Sequence, residues 1–243
     1  MPPRPRGGGG GRLPEGRIHR HQRGHPPRGA GTGKGGAVRI YDIGTVVGPR
    51  APRFPGDTPP SLEPHFSPDG WRISSLLMTT HSASHYDFPL HMIPGGAAAD
   101  DYPADRFIGL ARLLDAPADP DGLLELLSRL PMRERILLLR FGPAPPALTA
   151  PAAELLVERG LSIVGTDALS VEQGPPFPVH RTLLEADVLV LENLSLDLPP
   201  AGVYLFVGPP LPVEGGDGAP CRPILISGGL ASGFRRTETE SDT

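Results

Sequence analysis

From Val38 onward, the apolar residues come in short runs that are separated by Gly, Pro or Asp. Short apolar runs between turn residues are typical of strands, and the few longer periodic stretches indicate helices. We therefore expect an α/β fold with a mixed, strand-rich core. The pattern predicts strands at 38–43, 72–80, 111–115, 135–140, 161–165, 187–191, 203–207 and 223–226, and helices at 122–130, 150–159 and 180–185.

The helix at 150–159 has the clearest boundary signals. Thr149 suits the N-cap position, and Pro151 lies in the first turn, where a proline's missing N–H does no harm. Gly160 follows the last helical residue and is a typical stop. Because the other helices are shorter, we expect the chemistry to lie on strand ends and loops.

Residues 1–36 differ from the rest of the chain in composition and charge. They hold eight of the 23 Lys and Arg residues and one of the 27 Asp and Glu residues, so the remainder of the chain is acidic. With few apolar side chains to bury, we expect this segment to be a disordered tail. The predicted domain covers 37–230, and 231–243 is expected to be a flexible C-terminal tail.

Several classes of protein are disfavoured by composition. An acidic body does not suit nucleic-acid binding, which needs clustered Lys and Arg. No apolar run reaches the ~18 residues of a membrane span, and the N-terminus lacks the apolar core of a secretory signal. The single Cys221 has no internal disulfide partner. We therefore expect a cytoplasmic protein with neither a membrane nor a nucleic-acid partner.

A histidine-rich segment, HSASHYDFPLH, places His81, His85, Asp87 and His91 within eleven residues. A helix would turn Asp87 away from the histidines, and Pro89 disfavours helical geometry before it. A straight strand would separate His81 from His85 by about 13 Å. The chain must therefore bend between them if they share an ion. Imidazoles with a carboxylate suit Zn²⁺ or Mn²⁺, so the segment predicts a metal site.

A second pair of candidate ligands follows about ninety residues later. Glu192 ends a strongly apolar strand, where an unpaired carboxylate is costly to bury. His180 opens the short helix that precedes this strand. A tight turn between helix and strand would bring both side chains together, although a surface Glu and a helix-end His are equally compatible with the pattern alone.

Taken together, the motifs resemble the metal-dependent cyclase family, whose members include bacterial kynurenine formamidases and isatin hydrolases. The resemblance spans most of 38–226 and depends on FPGD, HSASHYDFPLH, VGTDALSVE, His180 with LEN, and GGDGAPCRP in this order. It implies a swivelling β/β/α fold assembled as a homodimer or tetramer.

The resemblance also implies roles for individual residues. His81, His85 and Asp87 would hold a first metal ion, Asp87, His180 and Glu192 would hold a second, and His91 would be the general acid/base. Two divalent ions, zinc or alternatively manganese, would then supply an activated hydroxide.

The segment departs from the family at Ala83 and Ser84, where relatives usually have Gly and then Thr or Ala. Formamidases also tend to place a Trp before PGD, and here that position is Phe54, which could either stack on an aromatic substrate or be a core residue.

These features predict a metal-dependent amide hydrolase similar to an arylformamidase, acting on a small and aromatic amide such as N-formylkynurenine in tryptophan catabolism. Opening of a cyclic amide such as isatin, or a cyclase reaction in secondary metabolism, is the alternative. A non-catalytic metal-stabilised protein is the alternative of another class. Asp57 and Asp167 are interpreted as a turn and a capping residue. A nucleophilic Cys221 is a minor alternative, and His65 is given no role.

Overall fold

The computed structural model describes residues 38–228. The predicted tails at 1–36 and 231–243 lie outside this range. Eleven strands form within the described residues: β1 (Arg39–Asp42), β2 (Ser61–Phe66), β3 (Arg72–Leu77), β4 (His85–Asp87), β5 (Ile108–Asp115), β6 (Ile136–Arg140), β7 (Ile163–Thr166), β8 (Leu189–Glu192), β9 (Gly202–Val207), β10 (Gly218–Pro220) and β11 (Ile224–Ser227). Three α-helices accompany them: α1 (Pro120–Arg129), α2 (Ala150–Glu158) and α3 (Pro178–Glu185).

Nine of these strands form one mixed sheet in the order β1-β11-β9-β5-β6-β7-β8-β4-β10. The centre, from β5 to β8, is parallel, and the flanking strands pair antiparallel. β6 and β8 read ILLLR and LVLE and are almost wholly buried, as continuous apolar strands covered on both faces should be. The predicted α/β fold with a mixed, strand-rich core is confirmed.

Two apolar clusters cover the two faces of the sheet. Residues of α1, α2 and α3, such as Leu127, Leu156 and Leu183, pack on one face. Aromatic residues, among them Tyr86, Phe88 and Phe107, pack on the other. The tight packing of both faces holds the strand ends, and hence the loops that follow them, in defined positions.

The predicted helices are all present, with small shifts at their ends. α2 begins after Thr149 and carries its proline in the first turn, but the Thr149 side chain makes no capping hydrogen bond. Gly160 has φ +69°, which suits its position after the helix. None of the helices within 38–228 has the length and hydropathy to cross a membrane.

Three strands were not predicted from the sequence. β4 and β10 have three residues each, too few to show a period, and β2 contains Pro64, which argues against a strand. β2 pairs only with β3 and forms a separate exposed hairpin. The predicted strand at 72–80 ends earlier, at Leu77, where this pairing stops.

Candidate metal centre and active site

The candidate site lies on β4, between its two neighbours near one edge of the sheet. β4 pairs with β8 on one side, which sets His85 opposite Glu192. It pairs with β10 on the other side, which sets Asp87 opposite Gly218. Because residues opposite each other in a ladder are ~4.5–5.5 Å apart, these pairings bring three distant segments of the chain to one place.

A bend immediately before β4 turns His81 back towards the strand. The Ser82 amide donates to the Thr79 carbonyl at 3.2 Å, and Ala83 has φ +60°, the left-handed region. The Ser84 hydroxyl donates to the carbonyl of Asn193 at 2.8 Å and ties the bend to the end of β8. The bend predicted between His81 and His85 is therefore present.

The bend and β4 together form the first group of possible ligand atoms. His81 Nδ1 lies 2.8 Å from Asp87 Oδ1, and His85 Nε2 lies 3.3 Å from the same oxygen. The imidazole rings of His81 and His85 meet at 86° with centroids 5.1 Å apart. Two nitrogens and one carboxylate oxygen thus converge on a single point.

A second group uses the other oxygen of the same carboxylate. His180 Nε2 lies 3.5 Å from Asp87 Oδ2 and 3.2 Å from Glu192 Oε1. α3 begins two residues before His180, and the turn after it leads directly into β8, which ends at Glu192. Asp87 therefore stands between the two groups and faces each with one oxygen.

The outward nitrogen of each of these histidines also has an acceptor. His85 Nδ1 lies 2.9 Å from the Ala83 carbonyl, and His180 Nδ1 lies 2.7 Å from Glu172 Oε1. His81 Nε2 lies 3.0 Å from Asp217 Oδ2. When a metal occupies the inward nitrogens, these three oxygens can accept the protons of the outward ones, as is usual for metal-binding histidines.

The carboxylates control the charge of the histidines around Asp87. Burial alone would lower the pKa of His180, but hydrogen bonds to Asp87, Glu172 and Glu192 outweigh burial and raise that pKa to about 12. Burial also opposes the charge of His81, yet Asp87 and Asp217 raise its pKa to about 9.

The pKa of Asp87 is shifted in the opposite direction, downwards. Its burial would raise the pKa, but hydrogen bonds from His180, His81 and His85 hold the pKa well below the usual range for an aspartate. Asp87 is therefore ionised, and its negative charge favours a cation at the centre of the site.

This donor set fits divalent metal ions. The members of each group lie within 4.8 Å of one another, and Asp87, His180 and Glu192 are all buried. Zinc bonds of ~2.0–2.2 Å at tetrahedral angles separate two ligand atoms by about 3.4 Å. The separations observed here, from 2.8 to 3.5 Å, are close to that value.

A cavity of about 360 Å³ opens over both groups. Its apolar wall includes Phe54, Met92, Leu169 and Phe177. His91 lies in the short 3-10 helix Pro89–His91, and its ring centroid is 4.3 Å from that of His81. The cavity therefore combines a polar, cation-favouring floor with apolar walls.

All seven site residues predicted from the sequence line this one cavity: Phe54, His81, His85, Asp87, His91, His180 and Glu192. Their individual roles stay predictions. Phe54 keeps 47% of its surface exposed, so the core interpretation of this residue does not fit.

The residues interpreted as structural have structural contacts. Asp57 donates its amide to the Phe54 carbonyl in a turn, although its side chain also lines the cavity. Asp167 accepts the amides of Phe141 and Gly142, and His65 contacts Ser75 in the hairpin. Burial raises the pKa of the Cys221 thiol, which disfavours a nucleophilic thiolate.

Sequence reasoning missed two carboxylates of the site, Glu172 and Asp217. Glu172 accepts the amides of Val179 and His180 at the start of α3 in addition to the imidazole of His180. Both acids occur in the motifs VGTDALSVE and GGDGAPCRP, so the motifs contained the signal. Their partners, however, are set by the fold.

Comparison with known proteins identifies the family. A family model described as putative cyclase matches residues 41–173, which include the histidine-rich segment. The chain belongs to the cyclase family. His180, Glu192 and Asp217 lie beyond the matched stretch, and the fold brings them to it. The predicted resemblance to metal-dependent cyclases is confirmed.

Individual members of the cyclase family resemble this chain along most of their length. The kynurenine formamidase of Salinibacter ruber (strain DSM 13855 / M31) is 33% identical over 206 residues, which cover 77% of this chain and 97% of the relative. The structure of a predicted metal-dependent hydrolase from Bacillus stearothermophilus is 28% identical, with a TM-score of 0.66 over 78% of this chain and 98% of that one.

Isatin hydrolase A from Labrenzia aggregata shares the fold at 23% identity. Its TM-score is 0.62, over 78% of this chain and 93% of that one. At this identity the likeness concerns the fold alone.

Proposed function

We propose that the protein is a metal-dependent amide hydrolase of the arylformamidase type. The observation that carries this proposal is the pair of ligand groups that share Asp87 on the floor of a cavity with apolar walls. The match to the kynurenine formamidase of Salinibacter ruber covers 97% of that relative, and it supports an N-formyl aromatic amine as the substrate class.

Two divalent ions, zinc by preference and manganese as the alternative, are the cofactors in this proposal. His81, His85 and Asp87 would hold one ion, and Asp87, His180 and Glu192 the other. When bound, the ions would polarise the amide carbonyl and lower the pKa of a water molecule. Imidazole and carboxylate ligands suit either metal.

His91 is the proposed general acid/base. Its side chain is one-third exposed, lines the cavity and is not a member of either group around Asp87. An imidazole can both accept a proton from water and return one to the departing amine. Its ring lies beside that of His81, so in the proposed complex it would be close to a carbonyl bound at the first ion.

The apolar wall is the proposed substrate-binding surface. Phe54 and Phe177 lie on this wall, with Met92 and Leu169 completing it. An aryl ring packed there loses apolar contact with water and stacks against phenyl rings. Phe54 would thus serve the function that a tryptophan serves in related formamidases.

The test is hydrolysis of N-formylkynurenine by the zinc-loaded protein, followed by the loss of its absorbance and the release of formate. We expect turnover that chelation abolishes and zinc restores. Opening of isatin without hydrolysis of N-formylkynurenine would instead favour the cyclic-amide reaction. Metal binding without turnover of any amide or lactam would favour a non-catalytic protein.

The hairpin β2–β3 supports a further proposal, that the protein is a homo-oligomer. Leu62, Phe66 and Leu76 lie on one face of the hairpin and are each more than half exposed. An isolated two-stranded hairpin is marginal in water, and adjacent exposed apolar side chains are typical of contact surfaces. A second copy of the chain is the proposed partner, consistent with the assemblies of the family.

We expect the double variant Leu62→Ser/Phe66→Ser to dissociate into monomers at micromolar concentration, because it removes apolar area from the contact. Size-exclusion chromatography with light scattering measures this. Leu198→Ser, which alters a leucine that is as exposed as Phe66 but lies outside the hairpin, should leave the assembly intact. A monomeric wild-type protein would refute the proposal.

Cytoplasmic location and a role in the kynurenine pathway are proposed with the function. They depend on the substrate class and would be tested by the same assay followed by metabolite measurements in cells.

A further inference from the structure

Asp217 is the one acidic residue within 38–228 that forms an ion pair with His91. Its Oδ2 atom lies 3.5 Å from His91 Nδ1 and 3.0 Å from His81 Nε2. A single carboxylate oxygen therefore stands between the proposed acid/base and a proposed metal ligand.

The carboxylate of Asp217 is itself held in place. The Thr80 hydroxyl donates to Oδ1 at 2.9 Å, which leaves Oδ2 for the two imidazoles. The Phe88 amide donates to the Asp217 carbonyl at 3.0 Å, so the backbone of Asp217 is tied to the segment between β4 and His91. Both ends of the residue are fixed relative to His91.

The next residue permits this close approach. Gly218 begins β10, opposite Asp87, and a Cβ atom on it would lie 2.7 Å from His81 Cε1. Any side chain there would push the His81 ring away. The Asp-Gly pair thus provides both an acceptor and the space for His81.

This arrangement has a consequence for His91. When Nδ1 faces a carboxylate, the proton is favoured on Nδ1, and Nε2 becomes the nitrogen available to the substrate. A base oriented by a third group is the general device of acid/base catalysis, and such contacts are often long without substrate. We propose that Asp217 is a positioning residue that fixes the tautomer and orientation of His91, with His81 as the second anchor of its carboxylate.

This inference depends on the proposed function only through the role of His91, so its test includes a readout that needs no substrate. The variant is Asp217→Asn, which keeps the shape of the side chain and removes its charge. In the zinc-loaded protein, long-range ¹⁵N–¹H NMR reports the tautomer of His91, whose signals are assigned by their loss in His91→Gln. We expect an Nδ1–H tautomer in the wild type and its loss in Asp217→Asn.

The kinetic expectation uses the same variant. Removing a residue that hydrogen-bonds a metal-ligating histidine typically lowers metal affinity or activity by about 10- to 100-fold, and Asp217 also contacts His81, so the assay is run at saturating zinc. At saturating zinc we expect kcat on N-formylkynurenine to fall by about 10- to 100-fold while KM stays within about threefold of the wild type, and Asp217→Glu to restore part of the loss. Adding Asp217→Asn to His91→Ala should cause no further loss, because both changes remove one interaction.

A matched control separates positioning from loop structure. Asp100 accepts the amide of Gly215 at 2.8 Å and thereby holds the same loop without contacting either histidine. Asp100→Asn should keep the His91 tautomer and the kcat of the wild type.

Two results would overturn the inference. In the first, Asp217→Asn loses one zinc ion per chain, or its zinc affinity falls by the same factor as kcat, while the His91 signals do not change. Asp217 would then serve the metal and not His91. In the second, Asp217→Asn keeps both the His91 tautomer and the kcat of the wild type, which would show that Asp217 has no role in positioning His91. Failure of the wild type to hydrolyse N-formylkynurenine would instead contradict the proposed function, and the NMR result would still decide the inference.

Discussion

Replacing His91 by alanine is expected to lower kcat by about two to four orders of magnitude, the usual contribution of a general acid/base. The zinc content should stay at the wild-type value, since His91 is outside the two groups that meet at Asp87, and the third group, which it forms with His81 and Asp217, is not buried. Loss of N-formylkynurenine absorbance measures the rate, and elemental analysis of the purified variant measures the metal.

His65 offers a matched control for this variant. It lies in the exposed hairpin and contacts Ser75, away from the cavity. His65→Ala should keep both turnover and metal. Normal turnover in His91→Ala would show that another group moves the proton, and loss of metal would make His91 a ligand.

The largest expected effect on metal binding comes from Asp87→Asn. One carboxylate faces both ligand groups, so removing its charge weakens both at once and leaves the imidazoles around a neutral amide. We expect less than one ion per chain after dialysis and a rate below about 1% of the wild type, because activation of water depends on the metal. Elemental analysis and the same absorbance assay test this.

The control for this variant is Asp197→Asn, which changes an exposed aspartate outside the cavity. It should bind zinc like the wild type. Retention of two ions by Asp87→Asn would contradict a bridging role, and retention of one would restrict Asp87 to a single group. Circular dichroism would separate loss of metal from loss of fold.

The part of the fold that follows from local pattern could be predicted from the sequence. β6 and β8 are continuous apolar runs, and α2 has proline and glycine at its two ends. β4 could not be predicted, because its polar residues His85 and Asp87 are buried by the strands on either side and not by any periodicity of their own.

In the candidate site, too, some residues could be predicted from local sequence and others could not. His81, His85, Asp87 and His91 are close in sequence, so their spacing alone indicated a shared site and required a bend between His81 and His85. Asp217 lies in a motif, but its spacing did not link it to these residues, because its proximity to them arises from the pairing of β10 with β4 across more than a hundred residues. Contacts between distant segments decide which acid faces which imidazole.

The position of β4 between β8 and β10 also has a consequence for the order of folding. About a hundred residues separate β4 from β8, and more separate it from β10. Closing loops of this length costs chain entropy before any contact is gained, so these two pairings form slowly. The ribosome must release residues up to Pro220 before both neighbours of β4 exist. We therefore expect nascent chains that end before β8 to capture metal weakly, and the complete binding centre to be among the last regions to mature.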